Sequence, residues 1–290
     1  MSDLFAQLAC IWEATARKPG NVHRYRDFHD ATYLDFMMSA AAISPVMASA
    51  PNRRVGETVL AAIQATRRVT ASNTNLGIVL LLAPLAAVPA EQDLRDGVER
   101  VLAGLDLEDS RLVYQAIRLA RPAGLGEVSE EDIEKEPTRP LREVMQLAAD
   151  RDLIARQYAN GFREVFSEGM SALAQGMEDT ESLEGAIIFC HLRLMAAFPD
   201  SLIARKLGRA MAEEAAERAK AVLDRDWPHS ASGWPAFHEL DAWLRDPEHA
   251  RNPGTTADLV TACLFVGLRT GMLNVPSRLP WSSEDRKSVV

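Results

Sequence analysis

Residues 17 to 36, RKPGNVHRYRDFHDATYLDF, gather Lys18, His23, Arg24, Arg26, Asp27 and Asp30 within thirteen positions behind a Lys-Pro-Gly turn. Pro19 and Gly20 force that turn, which can aim consecutive backbone N–H groups at an anion while Lys18 and Arg24 supply charge. The same residues also suit a helix C-terminus, where Lys and Arg offset the macrodipole and glycine stops the helix. Asp30 can cap the next helix, and Asp27 can pair with Arg24 or Arg26.

Four further stretches concentrate polar groups. SNTNLG at 72–77 places Ser72, Asn73, Thr74 and Asn75 before an apolar helix, as an N-cap or as uncharged donors beside a ligand. AADRDLIARQYANGF at 148–162 combines Asp150, Arg151, Asp152, Arg156, Gln157, Tyr158 and Asn160, and the spacing of Asp152 and Arg156 predicts an i,i+4 salt bridge. PDSLIARK at 199–206 reads as a capped helix start carrying Arg205 and Lys206. RNPGTTADL at 251–259 sets Thr255 three residues before Asp258, a capping-box-like start preceded by Arg251, Asn252, Pro253 and Gly254. Capping explains each stretch alone but not their joint presence. The expectation is convergence: Lys18, Asp30, Asn73, Asp150 and Asp258 should line one cavity.

The elements that must position these residues are helices. Apolar residues recur at intervals of three and four almost throughout, as in Val55, Val59 and Ile63, and no strand alternation competes. The fold expected is all-α, about ten helices in one domain over 1–275 with an irregular tail at 276–290. The run LGIVLLLAPLAAV at 76–88 is too short for a bilayer and reads as a buried helix kinked or broken at Pro84. Stretches 122–140 and 225–236 read as irregular, the first as a surface connection or a lid.

The net charge of −9 disfavours nucleic-acid binding, though it leaves room for a local basic pocket. Three distant cysteines in apolar helices suit buried thiols in a reducing compartment, so the protein is expected to be cytoplasmic, with no membrane partner. Walker-type lysine loops, dinucleotide fingerprints and zinc-site spacings are absent, and the six histidines are scattered.

Together, ARKPGNV at 16–22, DATYLDFMMSAAAI at 30–43, NTNLG at 73–77 and NPGTTADL at 252–259, in that order, resemble the triphosphoribosyl-dephospho-coenzyme A synthase family. The resemblance implies an all-α transferase that moves the ribose-triphosphate part of ATP to a ribose hydroxyl of 3'-dephospho-CoA, with adenine leaving. The chain departs from the family in two places. Asn75 and Leu76 stand where the family carries His and Lys, and the segment containing 150–162 replaces a Gly-Ala-Arg-Gly-Glu stretch. These departures keep two alternatives open: transfer from phosphoribosyl pyrophosphate in tetrahydromethanopterin-type cofactor assembly, and a non-catalytic nucleotide- or cofactor-binding helical protein.

Such chemistry needs a carboxylate near the sugar, cations and usually Mg²⁺ on phosphates, and a base for the incoming hydroxyl. The resemblance therefore nominates Asp30, Asp150, Asp152 and Asp258 as catalytic, with Asp30 and Asp258 as Mg²⁺ ligands. Lys18, Gly20, Asn21, Arg24, Asn73, Thr74, Asn75, Arg156, Arg205, Asn252, Gly254 and Thr255 are nominated for substrate and phosphate binding. The expected partners are a phosphorylated ribosyl donor and a hydroxyl acceptor, and the reading also admits a homodimer.

Overall fold

A computed structural model describes residues 4–122 and 131–275; the tail at 276–290 and the part of the 122–140 connection at 123–130 lie outside them. Among the described residues there are fourteen α-helices and no named strand. The first seven are α1 (Phe5–Thr15), α2 (Tyr33–Ala48), α3 (Val55–Arg67), α4 (Leu76–Ala86), α5 (Leu94–Ala103), α6 (Leu107–Ala120) and α7 (Leu141–Ala148). The remainder are α8 (Leu153–Asn160), α9 (Met170–Thr180), α10 (Leu183–Ala197), α11 (Ser201–Leu207), α12 (Arg209–Leu223), α13 (Gly233–Leu244) and α14 (Gly254–Arg269). The count exceeds ten partly because two polar stretches carry short helices of their own, α8 with 8 residues and α11 with 7.

The core forms around helices that are apolar on every side. α4 is buried from Ile78 to Leu85, and α14 is buried at most positions from Thr255 to Leu268. α14 packs against α1, α4 and α10, which brings the first and last thirds of the chain together. Among the described residues no single helix is long and apolar enough to cross a membrane.

Pro84 does not break α4, which runs on to Ala86. Proline removes the N–H that would meet the carbonyl four residues back. That carbonyl, on Leu80, instead accepts a hydrogen bond from the Tyr158 hydroxyl at 2.6 Å. A group from α8 thus satisfies the acceptor the proline left open, and in doing so fixes α8 against α4.

Candidate functional site

The N-termini of α4 and α14 meet. A Cβ built on Gly77 would lie 2.0 Å from Oδ2 of Asp258 and 2.6 Å from its Cγ, so only glycine lets the carboxyl pack against the first turn of α4. Beside it, Asn73 Oδ1 accepts from the Leu76 N–H at 3.2 Å and acts as the local cap. Thr74 Oγ1 meets Ser39 Oγ at 2.6 Å. Asn75 donates through Nδ2 to Thr66 Oγ1 at 2.9 Å, while its buried Oδ1 has no partner.

The capping box expected between Thr255 and Asp258 is not formed. Thr255 Oγ1 accepts from Ser201 Oγ at 3.1 Å. Asp200 caps both helices instead. One oxygen accepts from the N–H groups of Leu202 (2.8 Å) and Ile203 (3.1 Å); the other accepts from the N–H (2.7 Å) and hydroxyl (2.8 Å) of Thr256. With that work done elsewhere, no described hydrogen bond or ion pair engages Asp258. Burial, and then the neighbouring charges of Glu13 and Asp200, push its carboxyl well above the usual range.

These residues open into a cavity of about 820 Å³. Its wall includes Asn21, Asn73, Thr74, Asn75, Asp150, Asp152, Arg156, Arg205, Asn252, Gly254, Thr255 and Asp258, twelve of the nominated residues. Asn21 Nδ2 donates to Asn252 Oδ1 at 2.8 Å, which joins the two motifs across 231 positions of sequence. Asp152 caps α8 and pairs with Arg205 at 3.2 Å. The predicted Asp152–Arg156 bridge is absent, because Arg156 Nε donates to the Ala149 carbonyl at 3.0 Å. Asp150 is exposed on the wall.

Four nominated residues are elsewhere. Lys18 is 0% exposed, and its ammonium meets three oxygens: Glu13 O, Ala16 O at 3.3 Å and Glu13 Oε1 at 2.9 Å. Two of its N–H groups go to backbone carbonyls, its charge is paired with Glu13, and Lys18 itself is off the cavity wall, so it is engaged within the protein rather than by a phosphate. Arg24 pairs with Glu184 at 3.0 Å, and Arg17 joins the same carboxylate at 2.9 Å. The Gly20 N–H donates to Asp241 Oδ1 at 2.7 Å, at a φ of +73° that favours glycine. Asp30 is exposed, off the cavity wall, and its carbonyl accepts from the Ser72 hydroxyl. The charges of Arg17, Lys18 and Arg24 are therefore spent on the fold.

Of the two carboxyls nominated for Mg²⁺, Asp258 lines the cavity and Asp30 does not. Nor do the described residues contain any group of three or more His, Cys, Asp or Glu able to hold a metal. A site using one protein carboxylate together with ligand phosphates remains compatible with the wall.

Sequence reasoning missed three parts of the cavity. Arg151 and Arg209 join Arg156 and Arg205 on the wall; their signal, a run of arginines at the ends of short helices, resembles ordinary surface charge. Val113, Ile117, Val144 and Met145 form an apolar wall from α6 and α7, which periodicity alone assigns to core. Glu13 also lines the cavity although it is 1% exposed, and it sits inside an apolar helical pattern that gave no hint of it.

The sequence profile of the family CitG, ATP:dephospho-CoA triphosphoribosyl transferase, matches residues 3–275. The chain belongs to this family. Solved structures similar to it include an Archaeoglobus fulgidus protein provisionally assigned as a triphosphoribosyl-dephospho-coA synthase, at 29% identity and a TM-score of 0.62. That match covers 80% of this chain and 98% of the other. No curated protein sequence matches. As a member of a transferase family, the chain is a transferase, and the similarity to a solved family structure agrees with its all-α fold.

Proposed function

We propose that this protein transfers the triphosphoribosyl group of ATP to a hydroxyl of 3'-dephospho-CoA within the 820 Å³ cavity. The observation that carries this reading is Asp258: a carboxyl without a protein partner, in a pocket whose rim is set with Arg151, Arg156, Arg205 and Arg209. Guanidinium groups suit polyphosphate because each offers several N–H donors in a fixed plane. Asp258, whose carboxyl is pushed well above the usual range by burial and neighbouring carboxyls, suits proton delivery to the departing base. The bond between the anomeric carbon and the adenine nitrogen breaks with its electron pair on nitrogen, and the proton from Asp258 neutralises that nitrogen. The acceptor oxygen bonds to the anomeric carbon as its own proton leaves.

Asn75 Oδ1 lacks a partner and lines the same wall, so it can accept from a substrate N–H or O–H. Mg²⁺ bound with the donor would supply further charge neutralisation of the phosphates, and Asp150, exposed beside Arg151, is the carboxylate that would hold it. We place the reaction in the cytoplasm, on the ground that Cys10, Cys190 and Cys263 are all free buried thiols.

The test is incubation of purified protein with 3'-dephospho-CoA and either ATP or phosphoribosyl pyrophosphate, read by mass spectrometry. Adenine release and an acceptor heavier by the triphosphoribosyl group are expected with ATP. Product formed only from phosphoribosyl pyrophosphate would transfer the reading to that donor, on the strength of the uncharged Asn75 and Leu76. Binding without product from either donor would leave a nucleotide-binding protein.

A further inference from the structure

The transfer described above leaves one proton unassigned, that of the acceptor hydroxyl. Of the other wall carboxyls, Asp152 caps α8 and pairs with Arg205, and Glu131 accepts from the Thr138 N–H, whereas Glu13 is buried on the wall. Glu13 reaches the cavity from α1 and is 1% exposed. Its Oε1 lies 2.9 Å from Lys18 Nζ as an ion pair without hydrogen-bond geometry, so the buried Oε1 keeps no hydrogen-bond partner among the described residues. Lys18 is anchored by the Glu13 and Ala16 carbonyls, one turn and a loop from the carboxylate it holds. That arrangement holds the Lys18 ammonium beside the carboxyl while Lys18 itself stays off the cavity wall.

Resting on that reading of the site, we propose that Glu13 is the base that accepts the acceptor hydroxyl's proton, and that Lys18 is a positioning residue that holds the Glu13 carboxyl in place and favours its carboxylate form. The electron pair of the O–H bond becomes the new bond to the anomeric carbon, and the proton goes to Glu13. Asp258 meanwhile gives its proton to adenine. One proton moved from Glu13 to Asp258, directly or through water, then restores both carboxyls, so the cycle needs no further reactant.

The surroundings divide the roles of the two carboxyls. Facing Glu13 are Lys18 from the turn, Cys10 from its own helix and Asp258 from α14; Asp200 at the head of α11 lies beyond Asp258. Behind Lys18 stand Glu184 and His191 of α10 and Arg245 beyond α13. His191 is held neutral, its pKa lowered to about 3 by burial and by the Lys18 charge, so it adds no second cation. Burial pushes both carboxyls upward, but the Lys18 cation in contact with Glu13 pulls that carboxyl back, whereas the carboxyl neighbours of Asp258 push it further, and this difference suits the two groups to opposite proton roles.

The test uses full-length protein with ATP and 3'-dephospho-CoA. Glu13→Gln should lower kcat at least 100-fold, the lower end of what a positioned base contributes, while the Kd for ATP by calorimetry stays within about 3-fold. Because Gln would leave the buried Lys18 charge unpaired, the double variant Glu13→Gln/Lys18→Met serves as the folded control; exchanging a buried ion pair for neutral groups of similar size is often tolerated. It should show the same loss of kcat with native unfolding behaviour. Lys18→Met alone should move the acid limb of the kcat profile upward by about one unit or more, because a buried carboxylate without its cation protonates more readily. A folded double variant within 10-fold of wild-type kcat, or an acid limb unmoved in Lys18→Met, would overturn the assignment. Absence of product from the wild type would instead overturn the triphosphoribosyl transfer itself.

Discussion

The segment at 17–30 and the start of α14 both read as dense polar motifs, yet they have opposite fates. In the first, Arg17 and Arg24 share Glu184, Lys18 is enclosed by three oxygens, and the Gly20 N–H is taken by Asp241. Burial and the cations around it lower even His23 to about 2, so it stays neutral at working pH. In the second, Asp200 caps the helix from another element and Asp258 is left unengaged on a cavity wall. The lesson concerns accounting. A cluster of charges marks a binding site only when the fold leaves some of them unsatisfied, since a buried charge must find a partner and then has nothing left for a ligand.

The largest expected contrast is at Asp258. Asp258→Asn should reduce kcat by at least about 100-fold with ATP binding kept, because the amide keeps the shape and cannot deliver the proton. Stability should move the other way. A carboxyl whose pKa is raised in the folded state contributes stability that is fully present below its unfolded pKa and lost as pH rises through its folded pKa, so at neutral pH Asp258 is a cost. Its replacement should raise Tm by about 2–4 °C for each kcal/mol relieved. A loss of both activity and Tm would return Asp258 to a structural role. The same sign argument places the basic limb of the wild-type rate at the raised pKa of Asp258.

Gly77→Ala should come next, since its Cβ would intrude on the Asp258 carboxyl. A fall in kcat of roughly 10-fold or more is expected, with helicity by circular dichroism unchanged. Unchanged kcat would show that the position of the carboxyl is not critical.

Two arginines sharpen the comparison between the regions. Arg205→Ala removes a cavity cation whose exposed pairing with Asp152 is worth little to stability, so KM for ATP should rise about 10-fold or more with Tm nearly constant. Arg24→Ala should do the reverse, since Glu184 is buried: about 1–3 kcal/mol of stability lost, read by urea unfolding, with KM unchanged. If both variants changed KM alike, the division between the regions would fail. The smallest effect is expected at Asp30, where Asp30→Asn should leave turnover within about 2-fold and stability within about 0.5 kcal/mol, as for an exposed surface position.

The all-α class was legible in the sequence, as was most of the irregular stretch at 225–236, of which 233–236 instead begin α13, because helical periodicity and turn chemistry are local properties. The number of helices was less so, since α8 and α11 are too short to give a period and declare themselves only by their caps, Asp152 and Asp200. Which charges would be spent was not legible at all. Lys18 and Glu13 lie five residues apart, yet nothing local says that both will be buried or that Glu13 will border a cavity. Likewise, the sequence supplied Thr255 and Asp258 at capping distance, but the cap came from Asp200, 56 residues before Thr256. Residue types and spacing determined the helices and the stock of polar groups. Tertiary packing decided which of those groups were satisfied, because burial and partner distance depend on elements remote in the chain, and so it decided where the chemistry can occur.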